Sequence, residues 1–159
     1  MKKLSLIFCL LCSFSAHADF TGIVVKISDG DTIKVLDDQN VLHKIRLIGI
    51  DAPEKKQEYG LQSSKNLSDM IIYKTVTVQS NKSDRYGREL GQVFDGDKDI
   101  NIAQVNAGMA WFYKAYERAL SSKDRSAYAE AETFARGAHY GLWSADKQIP
   151  PWDFRKGLR

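Results

Sequence analysis

The chain has 159 residues, of which 43% are apolar, and a formal net charge of +3. This composition is that of an ordinary globular protein, and it excludes a disordered or low-complexity chain. The small charge does not by itself indicate a nucleic-acid partner, so any such attraction must come from local patches.

The first eighteen residues have the pattern of a signal peptide. Lys2 and Lys3 precede an apolar run over residues 4–14, and Ala16-His17-Ala18 gives the small-x-small pattern of a cleavage site. The run is too short to remain as a membrane anchor. We expect cleavage after Ala18, which leaves residues 19–159 as one exported domain, periplasmic or secreted.

The mature chain would contain few soft metal ligands. Cys9 and Cys12 leave with the signal peptide, so disulfides and cysteine metal sites are excluded. The two remaining histidines, His43 and His139, do not form a ligand-spaced pair. This argues against a zinc hydrolase and against a histidine general base.

Residues 20–50 predict three strands. Residues 20–27 are rich in β-branched side chains, Asp29-Gly30 marks a hairpin turn, and residues 32–36 form the second arm. Residues 41–50 continue as a longer strand, in which Gly49 indicates the bulge or bend that a barrel needs.

A helix and two further strands follow. Residues 61–72 predict a helix, and residues 74–80 and 89–94 predict strands joined by a charged turn. The apolar stripe of the helix is predicted to consist of Leu61, Leu67, Met70 and Ile71.

Two further helices are predicted from capping boxes. Asn101 with Gln104 begins a short helix that ends at Gly108, and Ser121 with Asp124 begins a longer helix. Five strands and three helices predict an α+β, β-rich fold, a five-stranded OB-fold barrel with three helices. One face of such a barrel commonly binds nucleic acid.

Three short segments at turns and strand ends carry acids and arginines. They are Asp29-Gly30-Asp31-Thr32, Arg46 with Asp51-Ala52-Pro53-Glu54, and Asp84-Arg85-Tyr86-Gly87-Arg88. Carboxylates that converge after folding attract a hard divalent cation. Arginines beside them would repel that cation unless an anion lay between, and a phosphate fits the planar guanidinium. Because a metal and an arginine clamp stabilise phosphoryl transfer, the pattern indicates an enzyme that cleaves phosphodiesters.

Each segment taken alone has a simpler explanation. Asp29-Gly30 is a common hairpin turn, and Asp51 with Glu54 could cap the turn before a helix. Arg46 could be a buried ion-pair partner, and the third segment could be a solvated hairpin tip. Three independent segments with the charges of a metal–phosphate site make coincidence the weaker explanation. Without a ligand-spaced histidine, Glu54 becomes the candidate that orients or deprotonates water.

Aromatic and basic residues provide a second set of candidates. Tyr86, Tyr113 and Tyr116 suit stacking on the bases of a nucleic acid. Trp111 and Phe112 are expected in the core. The basic residues at the C-terminus, Arg155, Lys156 and Arg159, could steer DNA, but a frayed terminus is the simpler expectation.

The three charged segments resemble the signature segments of the staphylococcal (micrococcal) nuclease, or thermonuclease, family. Supporting similarity runs through residues 106–110, 129–131 and 141–144, in order along the chain from residue 19. The resemblance implies an OB-fold, Ca²⁺-dependent and sugar-nonspecific endonuclease that acts on DNA and RNA and leaves 3′-phosphate ends.

The resemblance also implies a role for each site residue. Asp31 and Asp51 would bind Ca²⁺ together with the backbone carbonyl of Ala52, and Glu54 would orient or activate the attacking water. The scissile phosphate would be bound by Arg46 and Arg88. The nucleotide would be held by Arg85, Tyr86 and one of Tyr113 and Tyr116.

Two departures from the best-known member of that family stand out. Position 52 is alanine instead of threonine, and this change does not affect a ligand that is a backbone carbonyl. The loop over residues 55–58 is short where that member has a longer lysine-rich loop, so substrate grip and loop mobility are expected to differ. Two other functions stay open, an OB barrel that binds nucleic acid without cutting and a calcium-stabilised structural domain. A monomer without a stable protein partner is the default expectation.

Overall fold

The structure is a computed structural model that describes residues 19–158. The predicted signal peptide and Arg159 lie outside the described residues. The strands are β1 (Phe20–Asp29), β2 (Thr32–Asp37), β3 (Leu42–Leu47), β4 (Ile50–Asp51), β5 (Thr75–Ser83), β6 (Glu89–Asp95), β7 (Lys98–Asp99) and β8 (Trp111–Phe112). The helices are α1 (Gly60–Ile71), α2 (Ile100–Asn106), α3 (Ser122–Gly137) and α4 (Pro151–Phe154), with 3₁₀ turns at Lys114–Ala119 and Gly141–Ser144. Within this range, no helix combines the length and the apolarity that crossing a membrane requires.

Five strands close into a barrel. Strands β3, β2, β1, β5 and β6 pair in that order, each antiparallel to the next. The barrel closes because β3 and β6 also pair, in parallel. Strand β7 extends the edge at β6, and β4 pairs with β8 apart from the barrel. The predicted α+β fold with a five-stranded OB-type barrel is confirmed.

The barrel interior is filled by aliphatic side chains that alternate along the strands, as a half-buried sheet requires. The buried members are Val24, Ile33, Val35, Ile45, Leu47, Val76, Val78 and Val93. Leu67 of α1, Ile100 of α2 and Tyr128 of α3 belong to the same cluster, so the helices cover the barrel. Each such side chain contributes about 1.5–3 kcal/mol of transfer free energy.

A break between β3 and β4 turns the chain out of the barrel. Gly49 has a φ of +79°, and a Cβ atom there would lie 2.8 Å from Cε1 of Tyr128. A side chain at this position would be strained and crowded. The bend predicted at Gly49 is therefore confirmed, although residues 41–50 form two strands rather than one.

The predicted capping box of α2 is wrong. Asp99 is the N-cap, and its side chain accepts a hydrogen bond from the backbone N–H of Ile102. Asn101 is fully buried, where it accepts from the N–H of Val93 at 3.2 Å and donates to two backbone carbonyls. Its side chain bonds to backbone groups of other segments, because the oxygen and the nitrogen of a buried amide both need hydrogen-bond partners. The predicted start of α3 at Ser121 is confirmed, since its Oγ accepts from the Asp124 N–H at 3.1 Å, and the Asp124 carboxylate accepts from the Ser121 hydroxyl at 2.6 Å.

Two smaller expectations also fail, and two short strands were not predicted. Leu61 has 69% of its surface exposed, so it does not belong to the apolar stripe of α1. Strand β5 continues to Ser83, beyond the predicted end at residue 80, because its pairing with β6 runs on past a register shift. Strands β7 and β8 have two residues each, too few for a periodic signal.

Candidate active site

Asp31 lies where the hairpin of β1 and β2 turns, and its carboxylate accepts two hydrogen bonds besides its contact with Arg46. Oδ2 accepts from the backbone N–H of Ala52 at 2.7 Å, and Oδ1 accepts from the Thr32 hydroxyl at 3.0 Å. The residue is 6% exposed. The hydrogen bond to Ala52 ties this hairpin to the segment that follows β4, so two of the charged segments meet here.

The turn itself packs tightly on α1 and α2. The carbonyl of Gly30 accepts from Nε2 of the buried Gln104 at 2.9 Å, and the same nitrogen donates to the Ser63 carbonyl. A Cβ atom at Gly30 would lie 1.9 Å from the Ser63 hydroxyl. Glycine is therefore required for this close approach. Gln104, predicted to belong to a helix cap, instead positions the turn that carries Asp31.

Arg46 lies in β3 and joins the two acids. Its Nη2 lies 3.0 Å from Oδ2 of Asp31 and 3.0 Å from Oδ1 of Asp51, and its Nη1 donates to the Leu47 carbonyl at 2.7 Å. The arginine is 5% exposed. Such a buried pair requires good geometry to offset desolvation. The ion pairing that remained an open alternative for Arg46 is thus present, and its two carboxylate partners are the predicted cation ligands.

A third arginine enters the site from the C-terminus. Arg155 donates from Nη2 to Oδ2 of Asp51 at 2.7 Å and from Nη1 to Oδ1 at 3.2 Å. The same Nη1 donates to Oε1 of Glu54 at 2.9 Å. The expectation of a frayed basic terminus is wrong for this residue, because α4 carries it onto the two carboxylates.

Arg88 lies on the turn between β5 and β6, where Asp84 holds it. Nε and Nη2 of Arg88 each lie 2.7 Å from Oδ2 of Asp84, whose Oδ1 accepts from the backbone N–H groups of Tyr86 and Arg88. Burial acts to raise the pKa of Asp84, but these hydrogen bonds outweigh it and lower the pKa overall. The turn therefore aims a constrained guanidinium at the site.

Aromatic rings flank the charged groups. Tyr86 is 66% exposed, with the guanidinium carbons of Arg85 and Arg88 at 4.9 and 5.6 Å from its ring centroid. Tyr113 packs edge-on against Tyr116, with ring centroids 5.3 Å apart. Trp111 and Phe112 are buried, as predicted. Stacking surfaces therefore lie beside the arginines, as binding of nucleic-acid bases requires.

All ten predicted site residues line one open cavity of about 800 Å³. They are Asp31, Arg46, Asp51, Ala52, Glu54, Arg85, Tyr86, Arg88, Tyr113 and Tyr116. Further residues also line it, and the charged ones are Asp29, Lys44, Lys82, Asp84 and Arg155. Lys44 had a usable signal, because it lies two residues before Arg46 on the same strand and therefore shares its direction.

Burial governs the electrostatics of the acids. Burial, together with the neighbouring charge of Asp31, raises the pKa of Asp29 to about 7. Burial also raises the pKa of Asp51, against the opposing effects of Arg155 and Arg46. The hydrogen bond to Asp51 raises the pKa of Arg155, so its guanidinium stays charged. Desolvated carboxylates of this kind favour any cation that reaches them.

The carboxylate oxygens of Asp31 and Asp51 and the nearby backbone carbonyls are donors that suit a hard metal. In residues 19–158, no group of three or more His, Cys, Asp or Glu side chains is arranged to hold a metal ion. Asp31 and Asp51 lie close enough to share one arginine nitrogen. This donor set fits a cation such as Ca²⁺, which completes its coordination with backbone carbonyls and water.

Comparison with known proteins is consistent with this geometry. The sequence profile described as staphylococcal nuclease homologue matches residues 44–145. An Escherichia coli O157:H7 protein called an uncharacterized endonuclease is 42% identical over 139 residues, which cover 87% of this chain and 86% of that protein. A micrococcal nuclease from Shigella flexneri is 38% identical over 94% of this chain and 88% of its own length.

The similarity extends to plants. A staphylococcal-like nuclease from Arabidopsis thaliana is 35% identical over 116 residues, which cover 73% of this chain and 34% of that protein. The matched profile includes Arg46, Asp51, Glu54 and Arg88, whereas Asp31 lies before it. The fold, the profile and the relatives agree, and the chain belongs to the staphylococcal nuclease family.

Proposed function

We propose that this protein is an exported, Ca²⁺-dependent endonuclease that hydrolyses phosphodiester bonds in DNA and RNA and leaves 3′-phosphate ends. As a member of its family, the protein is a hydrolase that acts on nucleic acids. The Ca²⁺ dependence, the 3′-phosphate ends and the export are what we propose in addition. One observation carries it: acids and arginines from three separate segments line a single cavity.

The acids would provide the cation site. Asp31, Asp51 and the backbone carbonyl of Ala52 would hold Ca²⁺, which, when bound, supplies charge for the phosphate and lowers the pKa of a water. Glu54 would accept a hydrogen bond from the attacking water and orient it. Its carboxylate lies beside that of Asp51, since Nη1 of Arg155 contacts both.

The arginines would stabilise the charge that develops on the phosphate. Arg88 is held by Asp84 with little freedom to reorganise, which is what preorganised electrostatic stabilisation needs. Arg46 is fixed by the buried acids at the floor of the site. The planar fork of each guanidinium matches two phosphate oxygens.

The rim would bind nucleic acid without reading its sequence. Tyr86, Tyr113 and Tyr116 would stack on bases, with Arg85 next to Tyr86 and Lys44 and Lys82 near the phosphates. Stacking and phosphate contacts do not depend on the 2′-hydroxyl, which distinguishes RNA from DNA. Such contacts support action on both DNA and RNA.

Export is supported by the sequence pattern of residues 1–18. The periplasmic fraction and the medium of expressing cells should contain protein that begins at Asp19, as read by mass spectrometry. Protein that retains Met1 in those fractions would contradict the proposed cleavage.

A plasmid-nicking assay with CaCl₂ or with chelator tests the central claim. We expect cleavage that chelator abolishes, and Glu54→Gln should lose at least about a hundredfold in rate. Glu58→Gln is the matched control, because Glu58 is an exposed glutamate in the same loop. Undiminished cleavage in chelator would contradict the Ca²⁺ requirement.

The same preparations separate the other functions. If a titration detects DNA binding but no condition gives cleavage, the protein is an OB barrel that only binds nucleic acid. Calcium binding with neither cleavage nor DNA binding would indicate a structural calcium site.

A second experiment identifies the product ends: a 5′-labelled oligonucleotide is cleaved and treated with phosphatase. A change in the mobility of the labelled product after phosphatase treatment supports a 3′-phosphate end, and an unchanged mobility contradicts it.

A further inference from the structure

The C-terminal arm, residues 149–156, is fastened to the rim of the candidate active site. The side-chain amide of Gln57 donates to the carbonyl of Ile149, and Pro151 is buried. Trp152 stacks on Tyr113, with ring centroids 5.3 Å apart and an interplanar angle of 26°. The same indole packs edge-on against Trp111 at 6.3 Å. The position of the arm is therefore fixed without help from Arg155.

Arg155 projects from this arm onto carboxylates that belong to the candidate cation site. Its two terminal nitrogens contact both oxygens of Asp51, at 2.7 and 3.2 Å, and one of them also contacts Glu54. A bidentate contact between a guanidinium and a carboxylate is among the strong hydrogen-bonded pairs. Asp51 is almost fully buried, whereas 44% of the Arg155 side chain is exposed. The arginine is thus the outward-facing, displaceable member of the pair.

We propose that Arg155 is an internal counter-ion of the cation site, which competes with a divalent cation for Asp51. The inference rests on the proposed function, because it takes Asp51 to be a ligand of that cation. Oδ2 of Asp51 has Arg155 as its hydrogen-bond partner at 2.7 Å, whereas Oδ1 also contacts Arg46 at 3.0 Å, so Oδ2 is the oxygen for which Arg155 and the cation compete. Two like charges at one carboxylate repel each other. Binding of the cation therefore requires Arg155 to leave Asp51.

The competition has a quantitative consequence. The apparent affinity for the cation is reduced by the fraction of molecules in which Asp51 is accessible. If Arg155 leaves Asp51 in about a tenth of the molecules, removing the guanidinium tightens cation binding about tenfold. If the arginine only fastened the arm, its removal would leave the affinity unchanged or weaken it.

Calorimetric titration with CaCl₂ in the absence of nucleic acid tests the proposal. The proteins are the mature chain, Arg155→Ala, and Lys156→Ala as the matched control. Lys156 is the next residue of the arm, and its ammonium group pairs with Asp153 at 3.4 Å. The control removes one positive charge from the same segment without touching Asp51. We expect a dissociation constant about tenfold lower for Arg155→Ala and within twofold of the parent for Lys156→Ala.

Several outcomes would overturn the inference. A dissociation constant for Arg155→Ala that equals or exceeds that of the parent would do so, as would equal tightening by the two variants. If Arg155→Ala unfolds in a thermal melt, Arg155→Lys replaces it, and this variant should tighten binding by a smaller factor because the bidentate contact is lost.

Failure of the proposed function is distinguishable from failure of this inference. Calcium-dependent nicking with an unchanged dissociation constant overturns the competition alone. No Ca²⁺ binding by any of the proteins overturns both the competition and the Ca²⁺ requirement, and the nicking assay then reports separately on hydrolysis.

Discussion

A single nitrogen of Arg46 bridges Asp31 and Asp51, with a distance of 3.0 Å to an oxygen of each. Asp31 lies in the turn between β1 and β2, Asp51 ends β4, and both are almost completely buried. Two carboxylates at this depth repel each other unless a cation lies between them. Arg46 is such a cation, so it has a structural role besides the phosphate binding that we propose.

The first prediction concerns this structural role. Arg46→Ala should lower the free energy of unfolding by about 3–5 kcal/mol in chelator, because two buried carboxylates lose their shared partner. Urea denaturation measures the change. Lys44→Ala is the control, since Lys44 lies on the same strand with its side chain exposed, and its effect should stay within about 0.5 kcal/mol. A cost for Arg46→Ala as small as that of the control would contradict the bridging role.

The second prediction concerns Arg88 and activity. Arg88→Ala should reduce kcat by about 10²–10³ while the protein stays folded, since it removes a preorganised donor from the phosphate. Steady-state cleavage of an oligonucleotide measures the loss. Arg118→Ala, which removes an exposed arginine outside the cavity, should retain full activity. Asp84→Asn should give a smaller loss, because the guanidinium remains but its strongest tether weakens. Equal rates for Arg88→Ala and Arg118→Ala would exclude a role for Arg88 in catalysis.

The third prediction concerns the buried amide of Asn101. Asn101→Ala should lower the free energy of unfolding by about 2–4 kcal/mol. The N–H of Val93 and the carbonyls of Ile48 and Gly91 each lose a hydrogen-bond partner at a position away from water. Asn106→Ala changes the same residue type at an exposed position of the same helix and should be nearly neutral. Thermal and urea unfolding compare the two variants, and similar costs would show that the buried network is not stabilising.

The fourth prediction concerns pH. Burial acts to lower the pKa of His43, but its hydrogen bonds to Asp37 and Glu89 outweigh burial and raise the pKa above 6.5. A raised pKa in the folded state gives stability that is complete below about pH 6.5 and is lost as the pH rises through the folded pKa. His43→Gln should therefore lower the free energy of unfolding by about 1 kcal/mol at about pH 6 and by less at about pH 9. Urea midpoints at the two values measure this, and an equal loss at both would refute the charged pair.

The positions of the site residues were predictable where local patterns decide structure. Asp29-Gly30 is a hairpin signal at any place in a sheet, so Asp31 was expected beside a turn. Gly49 marked the bend before Asp51, because few other residues adopt its backbone conformation. Asn101 and Gln104 misled, because the spacing of a capping box does not reveal whether a polar side chain is buried.

Local patterns were enough to predict the five barrel strands, the main helices and the charged segments, since these depend on neighbours a few residues apart. Which charges meet depends on packing between distant segments. Arg155 reaches Asp51 across 104 positions because α4 packs on Tyr113, and no local pattern encodes that contact. Parallel pairing of β3 with β6 brings Arg46 opposite Leu90, two residues from Arg88. Closing the barrel, driven by burial of its aliphatic interior, is what converts separate charged turns into one site.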